Sequence, residues 1–561
     1  MRILTVVKGA RTCHLPPLGR SLIASRFGRR HVLAPGRVVA AAVVALFFLA
    51  AGARGLSGQE ELGKATYDRW CAGCHGVDGD GRGVAAEYML PRPRDFTLAL
   101  YQIRTTASGE LPTDADIRHI IDVGMPTTTM PGWEKLLSEA ERDALVEYLK
   151  TFSRFFGRGD VPQAIDFGRA PRLSEAVLAE GREQFEAMEC FKCHGDFGRG
   201  DGTSAPTLDD DGSYPIRAAD LTENWKFNGG GSVEDIFRRL RTGLDGTPMP
   251  SYQDVIDAGV ITEEQLWSLA HYVRSLAPED APGIDEVIRA GLVQDVPLPT
   301  TADDPAWDGV GVSYIPLVGQ IIVSPRWFDP RVDGLWVQAV HDGQELAMRI
   351  RWSDPSQSPD PDWAEWKARI IDLMAPKEGD PPEAGPTPDR LVVQFPKEMP
   401  TGLERPYFLM GDQRNPVYQW GWQSDQPGAV EMEARGLGTT AALPAAEQAV
   451  TASATFADGQ WSLMLRRPIT TESASDLDFP TGEAIPVAFF AWDGDNGESG
   501  TRAAISSWYF VFLEEPTPAT VFIAPLVAFA ITGGLGLLVV GSARKREQEG
   551  VVTEDGLPEE A

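Results

Sequence analysis

Cysteine is scarce in this chain, and its distribution excludes a disulfide-stabilised fold. Only five cysteines occur among 561 residues. Cys13 lies in a basic leader, and the other four all belong to two C-x-x-C-H motifs. The motifs are Cys71-Ala72-Gly73-Cys74-His75 and Cys190-Phe191-Lys192-Cys193-His194. If the leader is removed, no cysteine remains for a disulfide.

Basic residues are also scarce. The chain has 51 Lys and Arg against 81 Asp and Glu, which gives a formal net charge of −30. Because contacts with phosphates require Lys and Arg, this composition argues against binding of nucleic acid. It favours electrostatic attraction of basic partners. The length, with 43% hydrophobic residues, is sufficient for several domains.

Acidic residues are absent from one end of the chain, and charge of either sign is absent from a stretch near the other. Residues 1–53 contain no Asp or Glu and end in Ala51-Gly52-Ala53, which predicts a cleaved signal peptide over 1–53. Near the C-terminus, an uncharged run precedes Arg544-Lys545-Arg546. This pattern predicts a transmembrane helix over 518–541 and a cytoplasmic tail over 542–561. We therefore expect an inner-membrane protein with a single span and its bulk in the periplasm.

The C-x-x-C-H motif is typical of covalent haem c attachment. Its two thiols can form thioethers on one edge of a porphyrin, and its histidine can bind the iron. A zinc half-site or a thioredoxin-like redox pair would also use C-x-x-C. Zinc needs further ligands at short spacing, whereas these two cysteine pairs lie 119 residues apart. The sequence therefore predicts two haems c, with Cys71, Cys74, Cys190 and Cys193 as attachment residues and His75 and His194 as iron ligands.

One methionine follows each motif at the same distance. Cys74 to Met130 and Cys193 to Met249 are both 56 residues. Met130 and Met249 are therefore predicted as the second axial ligands, which would raise the reduction potential and favour electron transfer over oxygen chemistry. Core packing is the alternative for each, and Met125 competes with Met130.

Two histidines outside the motifs, His119 and His271, lie on predicted helices. They are interpreted as surface or core residues, although ligation by two histidines remains open.

Residues 59–277 resemble two tandem class I cytochrome c domains, with boundaries at 54–157 and 158–280. The resemblance implies an all-α fold and a covalent haem c in each domain, with hydrogen-bonded propionates. Arg94, Arg104 and Arg217 are candidates for binding the propionates, and an ordinary surface charge is the alternative for each.

The pattern changes after a predicted linker at 281–300. Residues 301–515 contain many short alternating segments, which predict an antiparallel β-sandwich. One predicted hairpin has its turn at Asp342-Gly343. His341, beside this turn, is predicted to lie at the surface.

This second region resembles the haem-binding domain of ethylbenzene dehydrogenase and other γ-type subunits of DMSO-reductase-family molybdoenzymes, including nitrite oxidoreductase-like complexes. The residues that carry the resemblance are Pro325-Arg326-Trp327, Arg351-Trp352-Ser353-Asp354, Tyr407-Phe408-Leu409-Met410-Gly411-Asp412, Pro416-Val417-Tyr418-Gln419-Trp420-Gly421-Trp422 and Trp461 to Pro468. The family binds a haem b between a methionine and a lysine. Met410 fits the methionine, but no lysine occurs between Lys397 and Lys545. Lys397 is the nearest candidate, and a different second ligand, a five-coordinate haem or a lost haem are the alternatives.

The expected fold is multidomain: two all-α cytochrome c domains, an antiparallel β-sandwich and a C-terminal transmembrane helix. The expected function is electron transfer without a catalytic centre, as the γ-type subunit that connects molybdopterin and iron–sulfur subunits with a soluble cytochrome or terminal oxidase. One alternative is a standalone dihaem carrier for a terminal oxidase or quinol complex. In a second alternative, the sandwich is a ligand-binding or sensory module. In a third, the protein is an enzyme that acts at a haem with an open coordination position.

Overall fold

The computed structural model describes residues 58–158, 161–374, 385–401, 405–473, 476–516 and 520–554. The predicted signal peptide lies outside the described residues. The chain separates into two compact units, Met1–Glu61 and Leu62–Ala561. Residues 58–61 of the first unit are helical, and the fold described below is that of the second unit.

Two helical domains precede a large sheet, as the sequence predicted. The α-helices are α1 (62–70), α2 (Ala72–His75), α3 (Asp114–Val123), α4 (Glu139–Thr151), α5 (Glu175–Ala187), α6 (Phe191–His194), α7 (Val233–Thr242), α8 (Gln253–Asp257) and α9 (Glu263–Ser275). Short 3-10 turns lie at Ala86–Tyr88, Phe96–Leu98, Phe156–Arg158, Ala205–Thr207 and Asn224–Lys226.

Capping boxes fix the start of three of these helices. At Thr113, Ser138 and Thr262, the cap side chain accepts a hydrogen bond from the amide three residues later, and that residue's side chain accepts one from the cap amide. Each box satisfies amides that the first helical turn leaves unpaired. The box predicted from Ser138 and Glu141 is confirmed.

Each helical domain has its own apolar core. In the first, Ile117 and Ile121 on α3 pack in one buried cluster with Leu145 on α4. In the second, Phe237 on α7 stacks on Trp267 of α9, with ring centroids 3.6 Å apart. The i, i+4 spacing on α3 places both isoleucines on one face of the helix.

The sheet domain follows. Its strands are β1 (Val287–Leu292), β2 (Ser313–Pro316), β3 (Val318–Gly319), β4 (Gly334–His341), β5 (Glu345–Ser353), β6 (Arg390–Pro396), β7 (Val417–Gln423), β8 (Ala429–Ala434), β9 (Ala441–Ala442), β10 (Thr451–Ala457), β11 (Gln460–Pro468), β12 (Ala484–Trp492), β13 (Ala504–Ile505) and β14 (Tyr509–Leu513). The main path through the sheet is β10-β11-β5-β4-β1-β14-β12-β6-β7-β8-β9. Helix α10 (Ala364–Met374) lies between β5 and β6 in the chain.

Strand β12 joins the two layers of the predicted sandwich. Its first half pairs with β14 and its second half with β6, both antiparallel. The core between the layers contains Ile350 and Leu463 from one side and Val393 and Trp420 from the other, all fully buried. Pairing is mostly antiparallel, and β1 is the exception because it runs parallel to β4 and β14.

The sheet domain begins inside the predicted linker. Strand β1 lies within 281–300, and its Ile288 and Ala290 are buried in the sandwich core. The surrounding Pro, Asp and Glu residues hid this short segment from sequence reasoning, because its parallel partners lie about 50 and 220 residues further along the chain.

The hairpin of β4 and β5 forms as predicted, and Gly343 in its turn has a φ of 88°. The prediction for His341 is wrong, because this side chain is fully buried rather than at the surface. Its Nε2 lies 3.0 Å from the carbonyl oxygen of Glu514. The segment after β14 therefore covers the end of the hairpin.

The C-terminal helix α11 extends over Thr520–Glu554. Within it, Thr520–Gln548 is long and apolar enough to cross a membrane, with a mean hydropathy of 2.3 and no burial against the rest of the protein in its most apolar window. This helix is compatible with a membrane anchor.

Two arginines, Arg104 and Arg239, hold the two helical domains together. Arg104 of the first domain donates to Thr242 O at 2.9 Å and to Asp245 Oδ1 at 2.8 Å. In the other direction, Arg239 of the second domain donates to Arg104 O at 2.7 Å. Hydrogen bonds to charged groups at a buried contact are among the stronger polar interactions, so this contact fixes how the domains pack.

Ion pairs also join the second helical domain to the sheet domain. Arg217 Nη2 lies 2.8 Å from Asp329 Oδ2, and Lys226 Nζ lies 2.6 Å from Asp333 Oδ1. The second helical domain therefore contacts both the first helical domain and the sheet domain.

The burial of Glu223 at this contact should make the stability of the folded protein depend on pH. Its Oε2 lies 2.6 Å from Lys226 Nζ, yet burial raises the pKa of Glu223 from 4.5 to about 7. Because the folded state then binds the proton more tightly than the unfolded state, stability should fall as the pH rises from about 4.5 to 7. In E223Q this loss, on the order of 1–3 kcal/mol, should disappear from thermal unfolding curves recorded across that pH range. The matched control is E183Q, because Glu183 is exposed, and this variant should lose stability with pH as the wild type does. If the stability of E223Q also depends on pH as in the wild type, the assignment to Glu223 is wrong.

Candidate haem sites

The first C-x-x-C-H motif forms one short helix, α2, that starts directly after Cys71. Burial raises the pKa of the Cys71 thiol to about 12. His75 is 9% exposed, its ring stacks on Phe96 with centroids 4.6 Å apart, and its Nδ1 lies 3.0 Å from Arg94 O. Burial also lowers the pKa of His75, which favours the neutral ring. With Nδ1 held by the carbonyl, Nε2 is the nitrogen that can bind a metal.

The second motif repeats this arrangement. His194 Nδ1 lies 2.9 Å from Ala219 O, and burial lowers the pKa of the ring. Cys190 Sγ lies 3.8 Å from Tyr252 Oη. Both histidines are therefore oriented by a backbone carbonyl, as metal-binding histidines generally are.

A glycine-rich loop folds back over each motif. Gly83 N donates to Cys74 O at 3.0 Å, and Gly202 N donates to Cys193 O at 3.2 Å. A Cβ at Gly83 would lie 2.3 Å from Gly73 O, and one at Gly202 would lie 2.3 Å from Lys192 O. Only glycine allows the loop to approach this closely.

The loops that carry Met130 and Met249 have the same hydrogen bonds. Met125 N donates to Met130 O at 3.0 Å, and Leu244 N donates to Met249 O at 3.1 Å. The position of Met125 in the first domain is therefore occupied by Leu244 in the second. Because leucine cannot ligate iron, this correspondence favours Met130 over Met125 as the common ligand.

Each methionine contacts the same apolar cluster as a cysteine of its motif. Cys71 and Met130 pack against the core that contains Phe96. Cys190 and Met249 pack against the corresponding core of the second domain. The fold thus brings one attachment cysteine and the candidate ligand methionine of each domain to the same apolar cluster.

Two unpaired polar atoms support the fit of a haem in the first domain. Among the described residues, Tyr101 Oη and Trp133 Nε1 are buried without a hydrogen-bond partner. Tyr101 stacks on Phe96, which stacks on His75. Buried donors usually have an acceptor, and a haem carboxylate would supply one. Sequence reasoning missed Trp133, although its counterpart Tyr252 lies 119 residues later, the distance between the motifs.

The three candidate propionate arginines behave differently. Arg104 and Arg217 use their guanidinium groups in the domain contacts described above, which the sequence could not reveal because the partners are distant. Their predicted propionate role is replaced by this structural one. Arg94 is half-buried beside Gly246 of the second domain, and it remains a candidate.

The intervals from Cys74 to Met130 and from Cys193 to Met249 are equal, but the second domain has an insertion within its interval. His75 to Arg94 is 19 residues, whereas His194 to Ala219 is 25. The second domain therefore has six extra residues after its glycine loop and six fewer before Met249. Ala219, rather than Arg217, corresponds to Arg94.

The inserted segment around Asp209–Pro215 contacts both neighbouring domains. Asp209 Oδ1 pairs with Arg369 Nη2 of α10 at 2.5 Å. On the other side, the guanidinium of Arg92 lies 4.9 Å from the ring centre of Tyr214.

His119 and His271 do not join these sites. His119 is exposed, and His271 is buried with its Nε2 2.9 Å from Pro171 O. Both placements agree with the interpretation of these residues as surface or core residues.

Met410 occupies a strained position in the sheet domain. Its φ is 61°, a conformation that non-glycine residues rarely adopt. Its Sδ accepts a hydrogen bond from Thr440 Oγ1 at 3.6 Å, and the side chain packs with Phe490 and Met432 in one apolar cluster.

Lys397 is not close to this cluster. Its ammonium pairs with Glu433 on β8. Successive side chains of a strand point to opposite faces, and the next residue, Met432, belongs to the Met410 cluster. Lys397 therefore lies on the opposite face from Met410, and the structure does not bring these two candidate ligands together.

The chain matches three family descriptions. Residues 58–149 match cytochrome C oxidase, cbb3-type, subunit III, and residues 178–277 match cytochrome c. Residues 439–504 match ethylbenzene dehydrogenase.

Two curated relatives and one solved structure are similar to parts of the chain. A protein named as a respiratory nitrate reductase heme subunit of Haloferax mediterranei is 26% identical over 222 residues, which are 40% of this chain and 70% of that relative. The chlorate reductase subunit gamma of Ideonella dechloratans is 31% identical over 176 residues, 31% of this chain and 63% of that relative. A reducing HAO-like protein complex of Kuenenia stuttgartiensis is 44% identical, with 39% of this chain and 96% of that chain covered and a TM-score of 0.37.

The chain therefore contains two domains that match cytochrome c families, and these domains support a role in electron transfer. More particularly, it joins two cytochrome c domains to an ethylbenzene dehydrogenase-type domain, and the predicted resemblance to γ-type haem subunits is confirmed. The cytochrome c domains imply covalent haem c, and the third domain suggests an additional haem.

Proposed function

We propose that this protein is the membrane-anchored, periplasmic γ-type subunit of a molybdopterin oxidoreductase. It would transfer electrons between an iron–sulfur subunit and a cytochrome or terminal oxidase, with the catalytic centre on a partner. The observation that carries the proposal is the serial attachment of two C-x-x-C-H domains to an ethylbenzene dehydrogenase-type domain. The names of the curated relatives support the reductase context.

Each cytochrome domain would hold a haem c through residues of known placement. In the first domain, Cys71 and Cys74 would form the thioethers, and His75 and Met130 would bind the iron. In the second domain, Cys190, Cys193, His194 and Met249 would have the same roles. When bound, haem supplies a one-electron couple whose potential depends on its axial ligands and burial. The carbonyls of Arg94 and Ala219 would hold the histidine rings in their ligating orientation.

Met410 would be one axial ligand of a haem b in the sheet domain. Its thioether is half-buried and positioned by a positive-φ backbone and the Thr440 hydroxyl. The second ligand would be a residue other than Lys397, since the Glu433 ion pair holds that ammonium on the other face.

The cytochrome that exchanges electrons with this protein would be a basic carrier, and it would bind through electrostatic attraction. The net charge of −30 favours a cationic partner, and this association should weaken as ionic strength increases.

Haem analysis of the purified protein tests the cofactor assignment. We expect two haems that remain bound after acid–acetone extraction and one that is extracted, with M410A losing only the extractable haem. M432A, a methionine in the same cluster, is the matched control and should retain all three. Two haems with none extractable would contradict the haem b assignment.

Purification from native membranes tests the assembly. After mild solubilisation, molybdenum- and iron–sulfur-containing subunits should co-purify with this chain. Recovery of the chain alone, with both haems c intact, would instead support a standalone carrier.

A further inference from the structure

Three aspartates from distant parts of the sheet domain meet in its interior. Asp354 follows β5, Asp389 precedes β6 and Asp493 follows β12. They are 1%, 0% and 2% exposed, and one carboxylate oxygen from each lies within 4.8 Å of the others. These residues have no part in the proposed haem sites.

Two more carboxylates lie beside them. Asp495 and Glu498 are on the loop that starts at Asp493, and both are buried. Five acidic groups in one buried region need compensation by protons or cations.

The basic side chains nearby either have other partners or face another positive charge. Lys367 donates to Gly385 O and Thr387 Oγ1, and Arg217 pairs with Asp329. Arg331 attracts Asp354 and Asp493, but it also faces the positive charge of Arg217. These cations offset only part of the negative charge.

One carboxylate oxygen of the group has no hydrogen-bond donor among the described residues. Asp354 Oδ1 accepts a hydrogen bond from Ser356 N at 3.2 Å, whereas Oδ2 is buried and has no hydrogen-bond partner among the described residues. A buried carboxylate oxygen without a partner is costly, and it is the atom that a bound cation would contact.

We propose that Asp354, Asp389 and Asp493 bind a calcium ion. The group contains only hard oxygen donors, which suit Ca²⁺ or Mg²⁺ rather than a metal that prefers nitrogen or sulfur. Mg²⁺ usually keeps several waters, whereas Ca²⁺ exchanges its hydration shell for protein oxygens more readily. The full burial of all three aspartates therefore favours Ca²⁺.

This ion would stabilise the surface that receives the second cytochrome domain. Asn496, on the loop after Asp493, accepts a hydrogen bond from Arg217 Nη2 at 3.2 Å. Ser353, directly before Asp354, accepts one from Arg199 Nη1 at 3.2 Å. Both arginines belong to that cytochrome domain, so the calcium site would be a structural element of the domain contact.

Calcium titration of the full-length, haem-loaded protein in detergent tests the site. After removal of metal with a chelator, CaCl2 should raise the unfolding temperature of the sheet domain in circular dichroism. MgCl2 at the same concentration should have a smaller effect. D354N should bind Ca²⁺ at least about tenfold more weakly, because one charged ligand is lost. D458N, which removes an acidic charge from an exposed turn of the same domain, should bind Ca²⁺ like the wild type.

Two results would overturn the proposal. If CaCl2 has no effect on the unfolding temperature of the chelator-treated wild type, the calcium site is absent, and protons and Arg331 compensate the carboxylates. If MgCl2 stabilises the wild type equally, the assignment to calcium is wrong. Both results include measurements on the wild type, so they remain decisive even if D354N folds poorly.

Discussion

M130H is expected to lower the reduction potential of the first haem c by roughly 100 mV or more. A thioether donates weakly to iron and favours Fe(II), whereas a second imidazole stabilises Fe(III). Spectroelectrochemical titration of the purified protein would measure the shift. The methionine-to-iron charge-transfer absorption of that site should disappear at the same time. M249H should have the same effect on the second haem c.

The matched control is M125L. Its position corresponds to Leu244 in the second domain, so the potential should stay near that of the wild type. A large shift in M125L together with none in M130H would identify Met125 as the ligand.

R467A is expected to destabilise the sheet domain by about 3–5 kcal/mol. Arg467 is fully buried and pairs with Glu431 at 3.1 Å and Asp476 at 3.2 Å, and both carboxylates are also buried. Removing the guanidinium leaves two negative groups in the core without their cation. For a domain of this size the unfolding temperature should fall by about 6–20 °C, which circular dichroism or differential scanning calorimetry would detect.

The neighbouring arginine provides the control. Arg466 pairs with Glu345, and both side chains are partly exposed, at 25% and 35%. R466A should therefore cost less than about 1 kcal/mol. Equal destabilisation by the two variants would mean that burial of the Arg467 network does not determine its contribution.

Sequence reasoning succeeded where the signal was local. A C-x-x-C-H motif forms one helical turn, a capping box spans four residues, and an Asp-Gly turn joins adjacent strands. Each depends on residues that are close in the chain, so the helical domains and the hairpin of β4 and β5 could be predicted.

It failed where the contact was distant. Arg104 pairs with a residue 141 positions away, and Arg217 with one 112 positions away. The face to which Lys397 points depends on the register of β6 against β7 and β8, and the burial of His341 depends on a segment that follows β14. Nothing in the spacing of Asp354, Asp389 and Asp493 indicates that they meet.

The six-residue insertion in the second cytochrome domain makes the two copies of a repeated fold non-interchangeable. Both copies carry the same types of candidate haem-binding residues, so these residues do not distinguish one domain from the other. Only the second has the segment around Asp209 and Tyr214 that contacts a neighbour on each side. A chain with the two domains exchanged would keep every candidate ligand and lose these contacts. These contacts of the second cytochrome domain are therefore specified by a short loop and not by the candidate ligands.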